Sequence, residues 1–447
     1  KDYDAMYDEL LRLEKESGVT LPDSPTHRVG AEALSAFEPH THISRLWSMD
    51  KVQSIDALDE WIKRTEKLAG TTNLTYYVEY KFDGLTLNLT YENGKILQLG
   101  SADQVTIPAD AEIIDAKGLY TAPGLVDIHN HGSKEYLFSD EPLKCAEHFL
   151  RHGQTTVLPT FYMTLSREAM IEGAARVRKA SGSGAGKILA GLYMEGPYMN
   201  PKFGADRENN PWKGPLDPAD YLPIIEKAGD KARVWALAPE REGIEDFIKA
   251  AKAVNPNVRF TVAHSEASPA QIEKLMPYGL CIGTHHTNAT GDLPKYPECR
   301  GVCVDETVNY NRDIYAELIS DSRGIHVDPY MQRLVRKIKG DDRIILISDR
   351  CEFDGPIPEG YDGVTDINFD DMGEIAGSKL TLEVAARNFM KHTGASLVDA
   401  FKFASYNPAR CLGLTDRGEI AVGKRADLIF VDHKMNVQKV ILDGKVR

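Results

Sequence analysis

The sequence predicts an α/β chain built on a (β/α)₈ TIM-like barrel with a small flanking β-domain, preceded by an α+β segment. Three observations predict it. Eight short apolar runs alternate with helix-like stretches over the larger, C-terminal part of the chain, the pattern of parallel strands joined by helical crossovers. Histidine and acidic residues recur near the C-terminal ends of those runs, on the face where such barrels build their sites. Turn-rich, β-like stretches stand on either side of the runs and can pair with each other across the sequence.

In chain order, apolar residues recur at helical spacing from Tyr3 to Glu16 and again from Ile55 to Leu68, with the turn-rich PDSPTHRVGAEALSAFEPHTH between them. In YYVEYKFDGLTLNLTYENGK, β-branched and aromatic residues alternate with polar ones, and Asn93-Gly94 supplies a hairpin turn. KILQLGSADQVTIPADAEIIDAKGLYTA then reads as short strands with turns. The eight runs follow: LVDIHNHG, TTVLPT, ILAGLYMEGP, VWALAPE, RFTVAHSE, LCIGTHH, AELISDSRGIHV and RIILISD. SREAMIEGAARVRKA, IEDFIKAAKAV and SPAQIEKLM are helical stretches between them. The end, GEIAVGKRADLIFVDHKMNVQKVILDGKVR, again reads as strands and turns. The expected domains are 1–95, a small β-sandwich from 96–122 with 412–447, and the barrel at 123–411.

At 447 residues, 42% hydrophobic and 27% charged, the composition is that of a globular protein with a sizeable core. A net charge of −14 argues against a general nucleic-acid surface and points to a small-molecule ligand. Six cysteines without CxxC pairs fit neither a zinc ribbon nor a disulfide framework. With no apolar run of membrane-spanning length and a charged, helical opening segment rather than a signal peptide, a cytoplasmic protein with no membrane partner is expected.

His129 and His131 lie on the first run, Glu195 on the third, His264 on the fifth, His285 on the sixth, His326 on the seventh and Asp349 on the eighth. In a barrel these ends open on one face, so the residues converge. An HxH pair on a strand sends both rings to the same side. Imidazole and carboxylate are the donors a divalent cation such as zinc favours, and one or two ions are expected. The remaining histidines are given no role, except that His286 is read as a neighbour on the opposite face of its strand.

Two family resemblances follow from the motifs. DAMYDELLRLE, DSPTHRVG, HISRLWSMDKVQSIDALDEW and YVEYKFDGLTLNLTYENGK resemble the start of a bacterial NAD-dependent DNA ligase. That resemblance makes Lys81, with Asp83 and Gly84, the family's KxDG adenylation motif, and places Asp4, Tyr7 and Asp8 at the nicotinamide end. Beyond about residue 95 no further nucleotidyltransferase strand is recognisable, so Lys81 is expected to be an inactive remnant; an adenylating module acting through Lys81 is the alternative.

GLVDIHNHG, TTVLPT, LYMEGPYMNPKFGA, LAPE, AHSEAS, THHTNA, GIHVD, LISD, AGSKLTLEVAARNF and SYNPARCLGLTDRGEIAVGKRADLIFVD resemble, in that order, N-acetylglucosamine-6-phosphate deacetylase of the amidohydrolase superfamily. The resemblance implies an N-acetylated amino-sugar phosphate as substrate, acetate and a free amine as products, and a homodimer. It makes Glu195, His264 and His285 the principal metal ligands, with His129 and His131 able to hold a second ion that Asp349 contacts. Asp349 becomes the acid/base, and His326 a substrate contact near the scissile group. Asn288 and Ala289 become contacts to the substrate phosphate. The family's phosphate arginine has no residue in frame here, and Lys295 or Arg300 is its nearest substitute. Dihydroorotase-like and aminoacylase-like hydrolases are the alternatives within the superfamily.

Overall fold

The computed structural model describes residues 2–19, 24, 55–72, 74, 87–101, 105, 107–133, 135–291, 297–299 and 301–447. Lys81, Asp83, Gly84, Lys295 and Arg300 lie outside the described residues, as do His27, His40 and His42. The chain divides into two units, Lys1–Asp83 and Gly84–Arg447. None of the described helices is long and apolar enough to cross a membrane.

The first unit contains the helices Asp2–Ser17 and Ile55–Ala69, the two stretches whose apolar residues recur at helical spacing. Asp4, Tyr7 and Asp8 fall on the first of them. Arg12 bridges Glu9 and Glu16 along that helix, and all three are solvent-exposed, so the pairs add little stability.

The second unit opens with a hairpin of β1 (Leu87–Glu92) and β2 (Lys95–Ser101). Its turn is Asn93-Gly94, both at positive φ (50° and 74°), the backbone that an Asn-Gly hairpin turn requires. Gly94 packs so closely on Asp443 that a Cβ would meet its side chain. Residues 87–95, at the end of the expected first segment, thus form one hairpin with residues beyond 95.

β3 (Tyr120–Pro123) precedes the barrel, whose eight parallel strands follow. They are β4 (Leu125–Asn130), β5 (Gln154–Tyr162), β6 (Leu192–Glu195), β7 (Ala232–Leu237), β8 (Arg259–Val262), β9 (Leu280–Gly283), β10 (Tyr315–Ile319) and β11 (Ile344–Ile347). These are the eight apolar runs, hydrogen-bonded in sequence order. Most strand residues are buried on both faces, as expected when helices cover the outside and side chains fill the interior.

Between the first and last strands the ring is joined mainly at its C-terminal rim. Asp349 N–H donates to His129 O (3.0 Å), and His131 N–H donates to Arg350 O (2.9 Å). Below them the fully buried Asp127 accepts from Ser348 Oγ (2.6 Å), Gln154 Nε2 (2.7 Å) and Asn130 Nδ2 (3.0 Å), tying β4 to β5 and β11. Burial pushes the Asp127 carboxyl up to about 6, against the opposing pull of those donors.

A short pair, β12 (Ile367–Phe369) with β13 (Ile375–Ser378), follows the barrel. Last come β14 (Leu428–Val431), β15 (Val437–Leu442) and β16 (Lys445–Val446). β14 pairs antiparallel with β3, closing a four-stranded sheet from the two ends of the unit. Ile96, Leu428, Phe430 and Ile441 share one apolar cluster against which Leu89 and Tyr91 of the hairpin pack.

Candidate active site

Each prospective site residue sits at or just beyond the C-terminal end of a barrel strand. His129 and Glu195 close β4 and β6, and His131 follows His129 by two. His264, His285 and Asp349 each lie two residues past the ends of β8, β9 and β11, and each has positive φ (43°, 27° and 46°). Left-handed backbone costs a non-glycine residue about 1–2 kcal/mol. Here it occurs three times at one register position.

Glu195 is the hub. Its Oε1 lies 3.0 Å from His264 Nε2 and 3.2 Å from His285 Nε2, and its Oε2 lies 3.1 Å from His131 Nε2 and 3.4 Å from His129 Nε2. Asp349 Oδ1 faces the same pair of rings, 3.3 Å from His131 and 3.4 Å from His129. All six side chains are buried. All but His129 floor a cavity of about 340 Å³ whose walls include Tyr162, Phe203, Asn288, Ala289 and His326.

Burial disfavours every charge in the cluster, and the outcome differs by residue. For Glu195 and Asp349 it is outweighed, first by His129 and then by the other rings, so both carboxyls lie below the ordinary range. The same carboxylates raise His129, His131 and His285 against burial. At His264 burial prevails over Glu195, and the pKa falls.

The donor set fits a divalent cation. His264 Nε2 and His285 Nε2 stand 3.1 Å apart, a distance at which two N–H groups repel and at most one can donate. Two donors about 2.1 Å from one ion stand about 3.0 Å apart at a right angle and about 3.4 Å apart at the tetrahedral angle, which is the range seen across the cluster. His129 Nε2 and Glu195 Oε2 are buried without a hydrogen-bond partner among the described residues. Two groups of three donors are close enough to share an ion: Glu195–His264–His285 and His129–His131–Glu195.

His326 lies on the loop after β10. Its Nδ1 is 3.3 Å from Asp321 Oδ2, which also accepts the His326 backbone N–H (2.9 Å). Burial opposes the Asp321 charge, but the His326 ring and the nearby backbone N–H groups outweigh it and hold the carboxyl well below its usual range. The other ring nitrogen, Nε2, is buried without a hydrogen-bond partner among the described residues. Asn288 donates from its backbone N–H to His285 O (2.9 Å), and Ala289 takes a left-handed backbone. His286 is buried outside the cavity wall, its Nδ1 3.7 Å from Asp305, and burial lowers it to about 4.

Several neighbours of the cluster are invisible to strand-end reasoning. Glu317 lies inside β10, with Oε2 3.2 Å from His129 Nδ1. Its signal is a lone acid within an apolar strand. Glu240, from LAPE, accepts from Ser265 Oγ (2.6 Å) and Glu266 N–H (2.9 Å), bracing the loop after His264. At the mouth Arg207 pairs with Glu374, and Lys202 with Glu266 (2.6 Å), so both cations of the cavity wall carry carboxylate partners.

Comparison with known proteins separates the two parts of the chain. Residues 321–447 match the Amidohydrolase family, and residues 34–102 match the NAD-dependent DNA ligase adenylation domain. The DNA ligase of Alkaliphilus metalliredigens (strain QYMF) is 44% identical over 131 residues, 29% of this chain but 20% of that protein. The chain therefore spans about a fifth of the length of that ligase. The N-acetylgalactosamine-6-phosphate deacetylase of Escherichia coli O157:H7 is 29% identical over 370 residues, covering 78% of this chain and 94% of that protein. The crystal structure of N-acetylglucosamine-6-phosphate deacetylase from Thermotoga maritima aligns with a TM-score of 0.64 at 27% identity, covering 80% of this chain and 94% of that one. With its eight-stranded barrel, its rim of histidines and acids and these likenesses, the chain resembles amidohydrolases over its larger part and the adenylation domain of NAD-dependent DNA ligases over a shorter stretch.

Proposed function

We propose that the barrel hydrolyses the acetamide of an N-acetylated amino-sugar phosphate, releasing acetate and the free amine. The observation that carries this reading is the convergence of four imidazoles on the one carboxylate of Glu195, at the floor of a cavity of about 340 Å³. The likeness to deacetylases of two amino-sugar phosphates along nearly their whole length narrows the amide to an acetamide. Residues 1–95, with Lys81, take no part in this reaction.

Glu195, His264 and His285 would hold a divalent cation, with zinc the ion that best suits the donor set, and His129 and His131 with Glu195 would hold a second. Such an ion supplies Lewis acidity at the amide carbonyl and acidifies water. Asp349, kept ionised by His129 and His131, is placed to take a proton from the attacking water and return it to the departing nitrogen. His326, its Nδ1 held by Asp321, lines the cavity as a substrate contact near the scissile group, where a donor would stabilise the oxygen on which charge develops. Asn288 and Ala289 line the side of the cavity assigned to the phosphate, and a homodimer is the proposed assembly.

The test is acetate release from a panel of N-acetylated hexosamines, each with and without a phosphate, after the metal content has been measured. Release from the phosphorylated substrates at the highest kcat/KM supports the reading. Turnover confined to cyclic amides or N-acyl amino acids replaces it with another amidohydrolase activity.

A further inference from the structure

Glu317 is a wholly buried carboxylate in the middle of β10. Among the described residues its one ion-pair partner is the His129 ring. Its Oε2 collects three contacts: His129 Nδ1 at 3.2 Å, Tyr193 Oη at 3.3 Å and the His285 backbone N–H at 3.4 Å. A buried carboxylate left without donors costs several kcal/mol, so these contacts must bring hydrogens to it.

Counting protons fixes their direction. Tyr193 Oη is 2.7 Å from Thr284 Oγ1, which is 2.6 Å from Thr261 Oγ1. Each hydroxyl has one hydrogen. An ionised Glu317 can only accept, so Tyr193 donates to it and Thr284 donates to Tyr193, while the Thr261 hydroxyl has the Ile282 carbonyl oxygen (3.0 Å) as well as Thr284 to donate to. The His129 ring is subject to the same demand: Nδ1 must carry its hydrogen toward Glu317. Its opposite nitrogen, Nε2, is the atom facing Glu195 and Asp349. The Tyr193 ring, 4.4 Å from the imidazole between centroids, restricts its rotation.

We infer that Glu317 is a positioning residue for the ion-holding cluster. It fixes the tautomer and angle of His129, so that the Nε2 lone pair points into the space shared with His131 and Glu195. This rests on the proposal that the cluster holds divalent cations. A carboxamide at residue 317 either accepts more weakly or offers its own NH₂ to Nδ1; the second case moves the ring hydrogen to Nε2 and closes that nitrogen to an ion. Carboxylate partners of this kind typically change metal affinity about 10–100-fold when removed.

The experiment uses the full chain as wild type, Glu317→Gln, His129→Gln and the double variant, each freed of metal. Each is titrated with zinc against a chromophoric chelator, then loaded with cobalt(II) for its visible spectrum. Glu317→Gln is expected to weaken the ion held by His129, His131 and Glu195 about 10–100-fold and to shift the cobalt bands, and to have no further effect once His129 is Gln. Wild-type affinity and spectrum in Glu317→Gln overturn the inference, as does an equal loss in the His129→Gln background, since Glu317 would then act on the fold at large. A wild-type chain that takes up neither ion overturns the metal reading itself, a result distinct from both. Should Glu317→Gln fail to fold, Glu317→Asp replaces it: the charge stays but the reach to Nδ1 shortens, so the same loss is expected and unchanged affinity is refuting.

Discussion

Asp349→Asn isolates the proposed proton transfer from ion holding. Asp349 Oδ1 stands 3.3 Å from His131 Nε2 and 3.4 Å from His129 Nε2, and an asparagine Oδ1 can occupy the same place. Neither three-donor group includes Asp349, so the ions are expected to stay. What the amide cannot do is take a proton and hand it on. A positioned general acid–base contributes about 10²–10⁴-fold to rate, or about 3–5 kcal/mol of barrier. The upper part of that range is expected, because the same carboxyl serves twice: on the incoming water and on an amine that leaves poorly without a proton. Initial rates of acetate release and elemental analysis of the same samples provide the check. The expected result is kcat lower by about 10³, KM within a few-fold and metal content close to wild type. Turnover within tenfold of wild type at full metal content refutes the role, and parallel loss of metal and activity recasts Asp349 as a ligand.

Chelation is expected to lower thermal stability as well as activity, because it leaves two carboxylates and four imidazoles to solve their own charge balance. A ligand at a hundred times its Kd contributes about 2.7 kcal/mol, so calorimetry with and without zinc should show Tm differing by roughly 3–4 °C for a unit of this size; identical transitions refute it. Asp127→Ala strands the Ser348 hydroxyl and the Gln154 and Asn130 amides in the interior, with an expected loss of about 3 kcal/mol read from the denaturant midpoint. His148 bears on acid stability. Burial first, then Arg350, holds it down to about 4, so between pH 6.5 and about 4 the unfolded chain takes a proton that the folded one refuses, and stability falls as pH drops through that window. The ceiling is about 3 kcal/mol, and partial exposure of the ring reduces it to about 1–2. His148→Gln should flatten the decline by that amount in urea titrations at successive pH values, and an unchanged slope excludes His148 as its source.

The barrel was legible because its strands are buried on both faces, so each reads as a short apolar run between helical stretches, from LVDIHN to IILI. The hairpin turn was legible because Asn-Gly is favoured where two successive residues need positive φ. The HxH spacing also carried geometry: alternation along β4 sends His129 and His131 to one side, and both reach Glu195 Oε2. Glu317 was not legible. Counted by strand ends it lies too deep in β10 to reach the rim, and nothing in AELIS says that its carboxylate meets a ring of β4, 188 positions earlier in the chain. The same holds for Arg207 with Glu374, where two loops 167 positions apart meet at the cavity mouth.

The largest gap between sequence and site lies in the backbone rather than in residue identity. His264, His285 and Asp349 each follow their strand by two residues, and each turns the chain through left-handed φ. An extended chain at those positions would carry the side chains onward and away from the axis. One left-handed residue turns the main chain back, so the ring or carboxylate stays over the barrel mouth while the loop departs. Aspartate tolerates this backbone fairly well and histidine more than most residues, but neither needs it, so residue type gave no warning. The cost of about 1–2 kcal/mol per position is sustained because the neighbouring strands leave no other path. Asp349 is held by its N–H on His129 O (3.0 Å) and its own O, which accepts Ser378 N–H (2.8 Å). At Asp349 the strained turn is therefore held by one of the rim hydrogen bonds that join the barrel's first strand to its last, and there the geometry of the cluster and the joining of the fold are one constraint.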